Sequence, residues 1–256
     1  MIKTLNKHVR WRKDKEQILI CDCKRLIDLK MPFEFEKVIK KIAGGINKNE
    51  LNNKEKLLFS DFEKLKMICN LEIRQIKKSE FQKAMEILSN ELKDRVRNNN
   101  FLLQKFKKFP QFFIGVFLDN ELIGVICGFP REDYLLLSEL AIDSKFQEKG
   151  FGKKLVKYFE EIAKKDYNKI NVGAQDNAIN FYLSLSYKSF LLIQYKKGDY
   201  SLKDFKKMNL IKDYEKKNQI TIEVKINKIN LDYLKKLRKK YPKANFQYIF
   251  TKKIIS

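Results

Sequence analysis

Apolar positions along this chain change period several times, and the changes mark its elements. Three short apolar runs open it, Val9-Arg10-Trp11, Ile18 to Cys21 and Leu26 to Leu29, separated by charged turns, and predict a small antiparallel sheet. After Pro32 the spacing becomes helical, with Phe35, Val38, Ile39 and Ile42 on one face and Gly44-Gly45 as the stop. A second helix is expected from near Ser60, capped with Glu63, burying Phe62, Leu65 and Ile68. From Leu71 to Ile76 a strand starts a new pattern. A helix follows in which Ser79 and Gln82 form the capping box and Phe81, Ala84, Met85, Leu88 and Leu92 the apolar stripe. A further helix spans Phe101 to Phe109, and a hairpin runs from Phe112 to Phe129 about Asp119-Asn120.

Downstream, the pattern predicts a strand over Leu135 to Ile142, a glycine loop, and a helix with Leu155, Val156, Phe159, Ile162 and Ala163 on its apolar face. A strand at Ile170 to Val172, a short helix over Ala178 to Leu185 and a strand over Tyr187 to Tyr195 come next. The tail from about Ser201 reads as polar until Ile220, Ile222, Val224 and Ile226 alternate as a strand. A helix at Leu231, Leu234 and Leu237 and a last strand at Phe246, Tyr248 and Phe250 close the chain. The expected fold class is α/β (α+β), a mixed central sheet flanked by helices and preceded by a small winged-helix-like domain. Three segments result: 1–70, 71–200, and a strand-helix-strand extension over 201–256.

Composition narrows the chemistry. The 256 residues, 44% of them hydrophobic, suffice for two packed domains. A net charge of +23, from 55 basic and 32 acidic residues, suits an anionic partner such as a phosphorylated cofactor or an acidic peptide. The lysines are scattered over helix faces, so a generally solvated basic surface is the first explanation of the charge, and nucleic acid is the disfavoured partner. No apolar run is long enough for a membrane span and no signal segment opens the chain, so a cytoplasmic location is expected. Cys21, Cys23, Cys69 and Cys127 are read as reduced, buried fillers, with no metal site. His8 is the one histidine, which argues against Ser-His or Cys-His catalysis and leaves acid-base work to carboxylates, tyrosines or lysines.

Gln147-Glu148-Lys149-Gly150-Phe151-Gly152 lies between a predicted strand and a predicted helix. There, backbone N–H groups at the positive end of a helix dipole can bind a pyrophosphate. A dinucleotide fingerprint would need a third glycine and a later acidic residue, and a Walker loop a Gly-Lys-Ser/Thr; both are missing. With Leu140-Ala141-Ile142-Asp143 before it, the loop resembles the signature of the GNAT acetyltransferase superfamily. Ala178 to Tyr187 is similar to that family's second motif, and the order of elements over 71 to 196 also matches.

The resemblance implies that the amides from Gln147 to Lys153, including Lys149, Gly150, Phe151 and Gly152, hold the pyrophosphate of acetyl-CoA or a longer acyl-CoA; an acyl carrier protein thioester is a further donor. It implies that Leu140 and Ile142 pair with the pantetheine arm, that the Ile142 N–H polarises the thioester carbonyl, and that Tyr182 protonates the departing thiolate. Gln175 replaces the family's usual Asn, and Ser186 its usual Gly. Glu139 is the nearest candidate for general base. A core tyrosine is the plainer reading of Tyr182.

The N-terminal segment looks like a RiPP recognition element, the winged-helix module that captures leader peptides by strand addition. That likeness points to Leu26, Ile27, Leu29, Phe62 and Leu65 as peptide-binding residues. Together the halves suggest an N-acyltransferase acting on a Lys or ornithine-type side chain or N-terminus of a precursor peptide, leader plus core, with lipidation as one outcome and a homodimer left open. The alternatives are acetylation of a small amine or antibiotic, and a non-catalytic CoA-sensing regulator.

Overall fold

In the computed structural model of the protein, residues 2–15, 17–93 and 96–254 are described. The chain forms two compact units, one of Met1–Cys127 with Glu139–Ile162, the other of Gly128–Ser138 with Ala163–Ser256.

The first unit begins with β1 (Ile2–Leu5), followed by β2 (Val9–Asp14), β3 (Gln17–Asp22) and β4 (Ile27–Pro32), which form a separate antiparallel sheet in the order β2-β3-β4. Val9, Ile18 and Ile20 turn inward against Val38, Ile39 and Ile42 of α1 (Glu36–Gly44). The helix stops where Gly45 takes a φ of 82°, a conformation that costs glycine little. β5 (Ile46–Asn47) and α2 (Asn53–Lys64) follow. α2 starts earlier than the expected Ser60. Asn52 accepts the Glu55 N–H at 2.9 Å while Glu55 accepts the Asn52 N–H at 3.0 Å, a complete capping box that leaves Ser60 inside the helix.

β6 (Ile68–Gln75) takes in Ile68, expected on that helix, because β1 pairs along it from Ile2↔Leu71 to Leu5↔Ile68. β1 was too short to show a period. At α3 (Phe81–Leu92) the expected Ser79 cap is replaced by Glu80, which accepts the Lys77 N–H at 2.6 Å and both Arg74 guanidinium nitrogens at 2.8 and 2.7 Å. The Arg74 hydrogen bonds bring the Glu80 carboxyl down to about 2. α4 (Asn99–Lys108) is capped by Asn98, and β7 (Phe113–Leu118) turns into β8 (Glu121–Pro130) through Asp119 and Asn120, both left-handed. Phe81, Met85 and Leu88 of α3 pack with Phe106, Phe113 and Phe117.

β9 (Leu135–Ile142) starts in the second unit and ends in the first, where it leads to α5 (Phe151–Ala163). Within the second unit β9 pairs in parallel with β10 (Lys169–Gly173), from Leu135↔Ile170 to Leu137↔Val172. α6 (Ile179–Leu183), β11 (Lys188–Lys196), β12 (Leu210–Lys216), β13 (Gln219–Lys225), α7 (Leu231–Lys240) and β14 (Asn245–Lys253) complete it. The strand order is β12-β13-β11-β14-β10-β9, with β14 antiparallel to both β10 and β11. The tail therefore completes this sheet. β12 was missed because all seven of its residues are exposed and it shows no alternation.

Two expectations about cysteine need correction. Cys69 and Cys127 are buried, but Cys21 is half-buried and Cys23 exposed, past the end of β3, with their sulfurs 3.8 Å apart. Among the described residues no cluster of His, Cys, Asp and Glu could hold a metal ion, and no helix is long and apolar enough to cross a membrane.

Ser186 adopts a φ of 65° after α6, which explains why glycine suits that position. Ser186→Gly should raise stability in urea unfolding by roughly 0.5–1 kcal/mol, since it relieves the left-handed strain. Loss of stability would show that the serine side chain contributes more than the strain costs.

Candidate active site

β9 alternates along its length. Leu135, Leu137, Glu139 and Ala141 are buried on one face, while Leu136, Ser138, Leu140 and Ile142 are half-buried on the other. Leu140 and Ile142 lie beyond Leu137, the last residue registered with β10. On the β8 side a Cβ on Gly124 would lie 2.4 Å from the Ile142 Cδ1 and 3.0 Å from the Ala141 oxygen, so glycine there allows β8 and β9 to approach closely.

The connection from β9 to α5 is fixed at its start. Asp143 donates its N–H to Ile123 at 2.9 Å and accepts the Lys145 N–H on its side chain at 3.0 Å. Glu91, on α3, accepts the Ser144 N–H at 2.9 Å and the Gln147 side-chain amide at 2.9 Å, and the same Gln147 nitrogen donates to the Ile142 carbonyl at 2.8 Å. Gln147 thus ties the end of β9 to the loop. A carboxylate reached from another helix had no signature in the sequence, so Glu91 was missed.

Past this clamp the chain turns through Glu148 at φ 62° and Gly150 at φ 82° into α5. A Cβ on Gly150 would have nothing within 4 Å, so the residue faces open space and is glycine for its backbone conformation. The first intrahelical bond here is from the Lys154 N–H to Gly150, at 3.2 Å. Among the described residues no acceptor in the chain takes the N–H groups of Glu148, Lys149, Gly150, Phe151, Gly152 or Lys153. With the positive end of the α5 dipole behind them, they suit an anion held by main-chain amides.

Charge converges on the same place. Lys149 and Lys154 are half-buried, and burial lowers the pKa of each, further depressed by Arg10 for Lys149 and by Lys157 for Lys154. Partial desolvation of these ammonium groups is unfavourable, and a bound phosphate group would offset it. Lys154 donates to the Gly45 carbonyl at 3.2 Å, and its Cε lies 3.6 Å from a Cβ built there. The end of α1 therefore borders the loop. Lys153 is exposed and Phe151 buried at the helix start. The residues present fit the pyrophosphate of a CoA thioester.

Glu139 is 6% exposed and pairs with Arg97 at 3.4 Å, on the opposite face of β9 from Leu140 and Ile142. In the second unit, Tyr182 is 5% exposed, its ring 5.0 Å from Phe181, 5.6 Å from Tyr187 and 5.7 Å from Phe250. Gln175, half-buried, precedes the turn into α6. In the N-terminal sheet Ile27 and Leu29 are half-buried on β4, an edge strand, and Leu26 lies just before it, exposed, at φ 55°. Phe62 is 1% exposed in the core, and Leu65 is half-buried at the end of α2.

A strand, an amide-lined anion cradle and a helix in succession suit a phosphorylated ligand. Residues 70–187 match the model of the acetyltransferase (GNAT) family, and this segment is similar to a GNAT domain. No curated protein matches the sequence. Among solved structures, the chain is similar to a protein from Pyrococcus horikoshii provisionally classed as an acetyltransferase, at 16% identity over 66% of this chain and 56% of that one, with a TM-score of 0.43. It therefore spans little more than half of that protein. Ard1 from Thermoplasma volcanium is 15% identical over 61% of this chain and 99% of its own, with a TM-score of 0.44. A GNAT family acetyltransferase from Elizabethkingia anophelis with acetyl-CoA bound is 17% identical over 72% and 98%, with a TM-score of 0.43.

Glu91→Ala removes both hydrogen bonds by which this carboxylate holds the loop's entry. The CoA dissociation constant by calorimetry should rise about tenfold, the loss of one or two charge-assisted hydrogen bonds, with the melting temperature nearly unchanged. Unchanged affinity would mean that the loop holds its shape without Glu91.

Proposed function

We propose that the protein transfers an acyl group from acyl-CoA to an amine of a ribosomal precursor peptide held by the N-terminal module. The observation that carries the donor half is the set of unsatisfied N–H groups from Glu148 to Lys153 with Lys149 and Lys154 beside them. The donor supplies the activated thioester. The end of β9 offers main chain at Leu140 and Ile142 for an extended arm, and the Ile142 N–H lies where it can donate to the thioester oxygen as negative charge develops there.

In the reaction the amine nitrogen bonds to the thioester carbon, the carbon–sulfur bond breaks, and the amine gives up a proton as the thiolate gains one. We assign the proton gain to the Tyr182 hydroxyl and the proton loss to Glu139, whose carboxylate Arg97 holds in place. Gln175 is assigned to the cofactor side. The face of β9 that carries Glu139 is opposite that of Leu140 and Ile142, which lets donor and acceptor approach the strand from different sides.

The acceptor half rests on β4. Its outer edge has no strand partner among the described residues, so an extended peptide can add a strand there beside Ile27 and Leu29, with Leu65 assigned to the same surface and tethering raising the local concentration of a poor nucleophile. Leu26, in its left-handed turn before β4, and Phe62, in the core against which Ile27 and Leu29 pack, are assigned to the same peptide-binding surface.

Two variants test the assignments. Tyr182→Phe should lower kcat by roughly 10–1,000-fold with little change in the KM for acyl-CoA, and Glu139→Gln should lower kcat by a similar range. Activity equal to that of the parent in either would remove that residue from the mechanism. Intact mass of a leader-core peptide after incubation with an acyl-CoA mixture reads the acceptor directly. Acylation of free lysine as fast as of the peptide would exclude tethering.

A further inference from the structure

The sheet of the second unit has two unlike faces. One packs against α6 and α7, burying Leu191, Ile193, Phe246, Tyr248 and Phe250. The other lines a groove of about 1580 Å³, to whose lining no helix among the described residues contributes, running across all six strands. The sheet curls strongly enough that Lys216, at the turn of the β12–β13 hairpin on one edge, reaches Glu132 in the segment preceding β9 at the other edge, 2.6 Å away. That ion pair joins the two sides of the trough.

Its floor is apolar, formed by Leu136, Phe190, Leu192 and Ile249. Between them stand amide and hydroxyl groups of Asn171, Gln194, Thr221 and Thr251, and the Asn171 Oδ1 is buried with no hydrogen-bond partner. An orphaned buried acceptor is costly, and a ligand N–H would satisfy it. The lining includes eight cationic and four acidic side chains. Three of the acids are already paired, Glu132 with Lys216, Asp133 with Lys169 and Glu215 with Lys197, which leaves Glu223. Arg131, Lys188, Lys212, Lys217 and Lys253 make no ion pair among the described residues.

We infer that this trough binds an extended acidic polypeptide segment, apolar side chains on the floor and carboxylates on the lysine rim. Its volume exceeds the roughly 300–1,000 Å³ of a small-molecule pocket, which favours a polymer. A single-stranded nucleic acid would satisfy the charge and could stack on Tyr134, Phe190 or Tyr214, but most of the floor is leucine and isoleucine, which offer bases no stacking face. Side-chain amides and hydroxyls along the floor suit the main chain of a peptide, and an extended peptide alternates its side chains between floor and rim. Excess lysine on this face disfavours pairing with a second copy of it.

The test uses the full-length protein without acyl-CoA and a fluorescein-labelled dodecapeptide of alternating Glu and Leu. Anisotropy should show saturable binding that weakens with salt, and Lys188→Glu/Lys253→Glu should weaken it by at least about tenfold while the melting temperature holds. Phe190→Ala should weaken it as well, through the floor alone. Absence of binding, binding indifferent to the charge reversal, or displacement by a twelve-nucleotide single-stranded RNA in preference to unlabelled peptide would overturn the assignment. Gly150→Asp, which disrupts the acyl-CoA cradle, should leave peptide binding intact, so failure of the transferase reading and failure of this one are separable.

Discussion

The proposed chemistry depends on one local constraint: a run of main-chain N–H groups must be left without partners at the start of α5. Helix geometry leaves the first turn unsatisfied in any helix, but water or a side-chain cap ordinarily takes up the slack. Here the preceding residues are committed elsewhere. Glu91 and Gln147 hold the loop's entry against the end of β9, and the left-handed turn at Glu148 and Gly150 aims the amides outward. The same clamp fixes the direction in which β9 ends, so the anion cradle and the main chain proposed to meet the thioester arm are positioned by one set of hydrogen bonds.

The N-terminal segment is part of this arrangement. β1 extends the antiparallel sheet beyond β6, and the end of α1 comes against Lys154 through the Gly45 carbonyl. Arg10, from the small sheet, adds to the depression of the Lys149 pKa. Cations at the loop therefore sense the segment proposed to hold the peptide. A phosphorylated donor that neutralises Lys149 and Lys154 would remove a repulsion felt by that segment, a physical route by which donor and acceptor binding can be linked.

Much of the segment that resembles a GNAT domain was legible because its elements have strong periods. The Asp119-Asn120 hairpin, the run Leu135 to Ile142 and the stripe of α5 each announced themselves by alternation or helical spacing. The places that were misread share a different property, reliance on partners distant in sequence. β1 is four residues long and exists because β6 receives it; β12 is wholly exposed and exists because β13 pairs with it. The start of α2 went to Asn52 and Glu55 because a reciprocal capping box outweighs a serine inside a helix-forming run. At the site, the glycines and the loop were readable. Glu91 and Arg97 were not, because nothing local distinguishes a surface charge from one that reaches across to a loop or strand. The trough was unreadable for the same reason: its lysines are scattered over four strands and connecting turns and converge only when the sheet curls.

The central claim, that the α5 cradle holds the pyrophosphate of an acyl-CoA, is tested most directly by calorimetric titration of CoA and of pantetheine, which lacks the pyrophosphate, against the parent protein and Gly150→Asp. CoA should bind the parent at least about a hundredfold more tightly than pantetheine, and Gly150→Asp should lose most of that difference by placing a negative side chain among the amides. Equal affinities for the two ligands, or an advantage for CoA that survives in Gly150→Asp, would contradict the account.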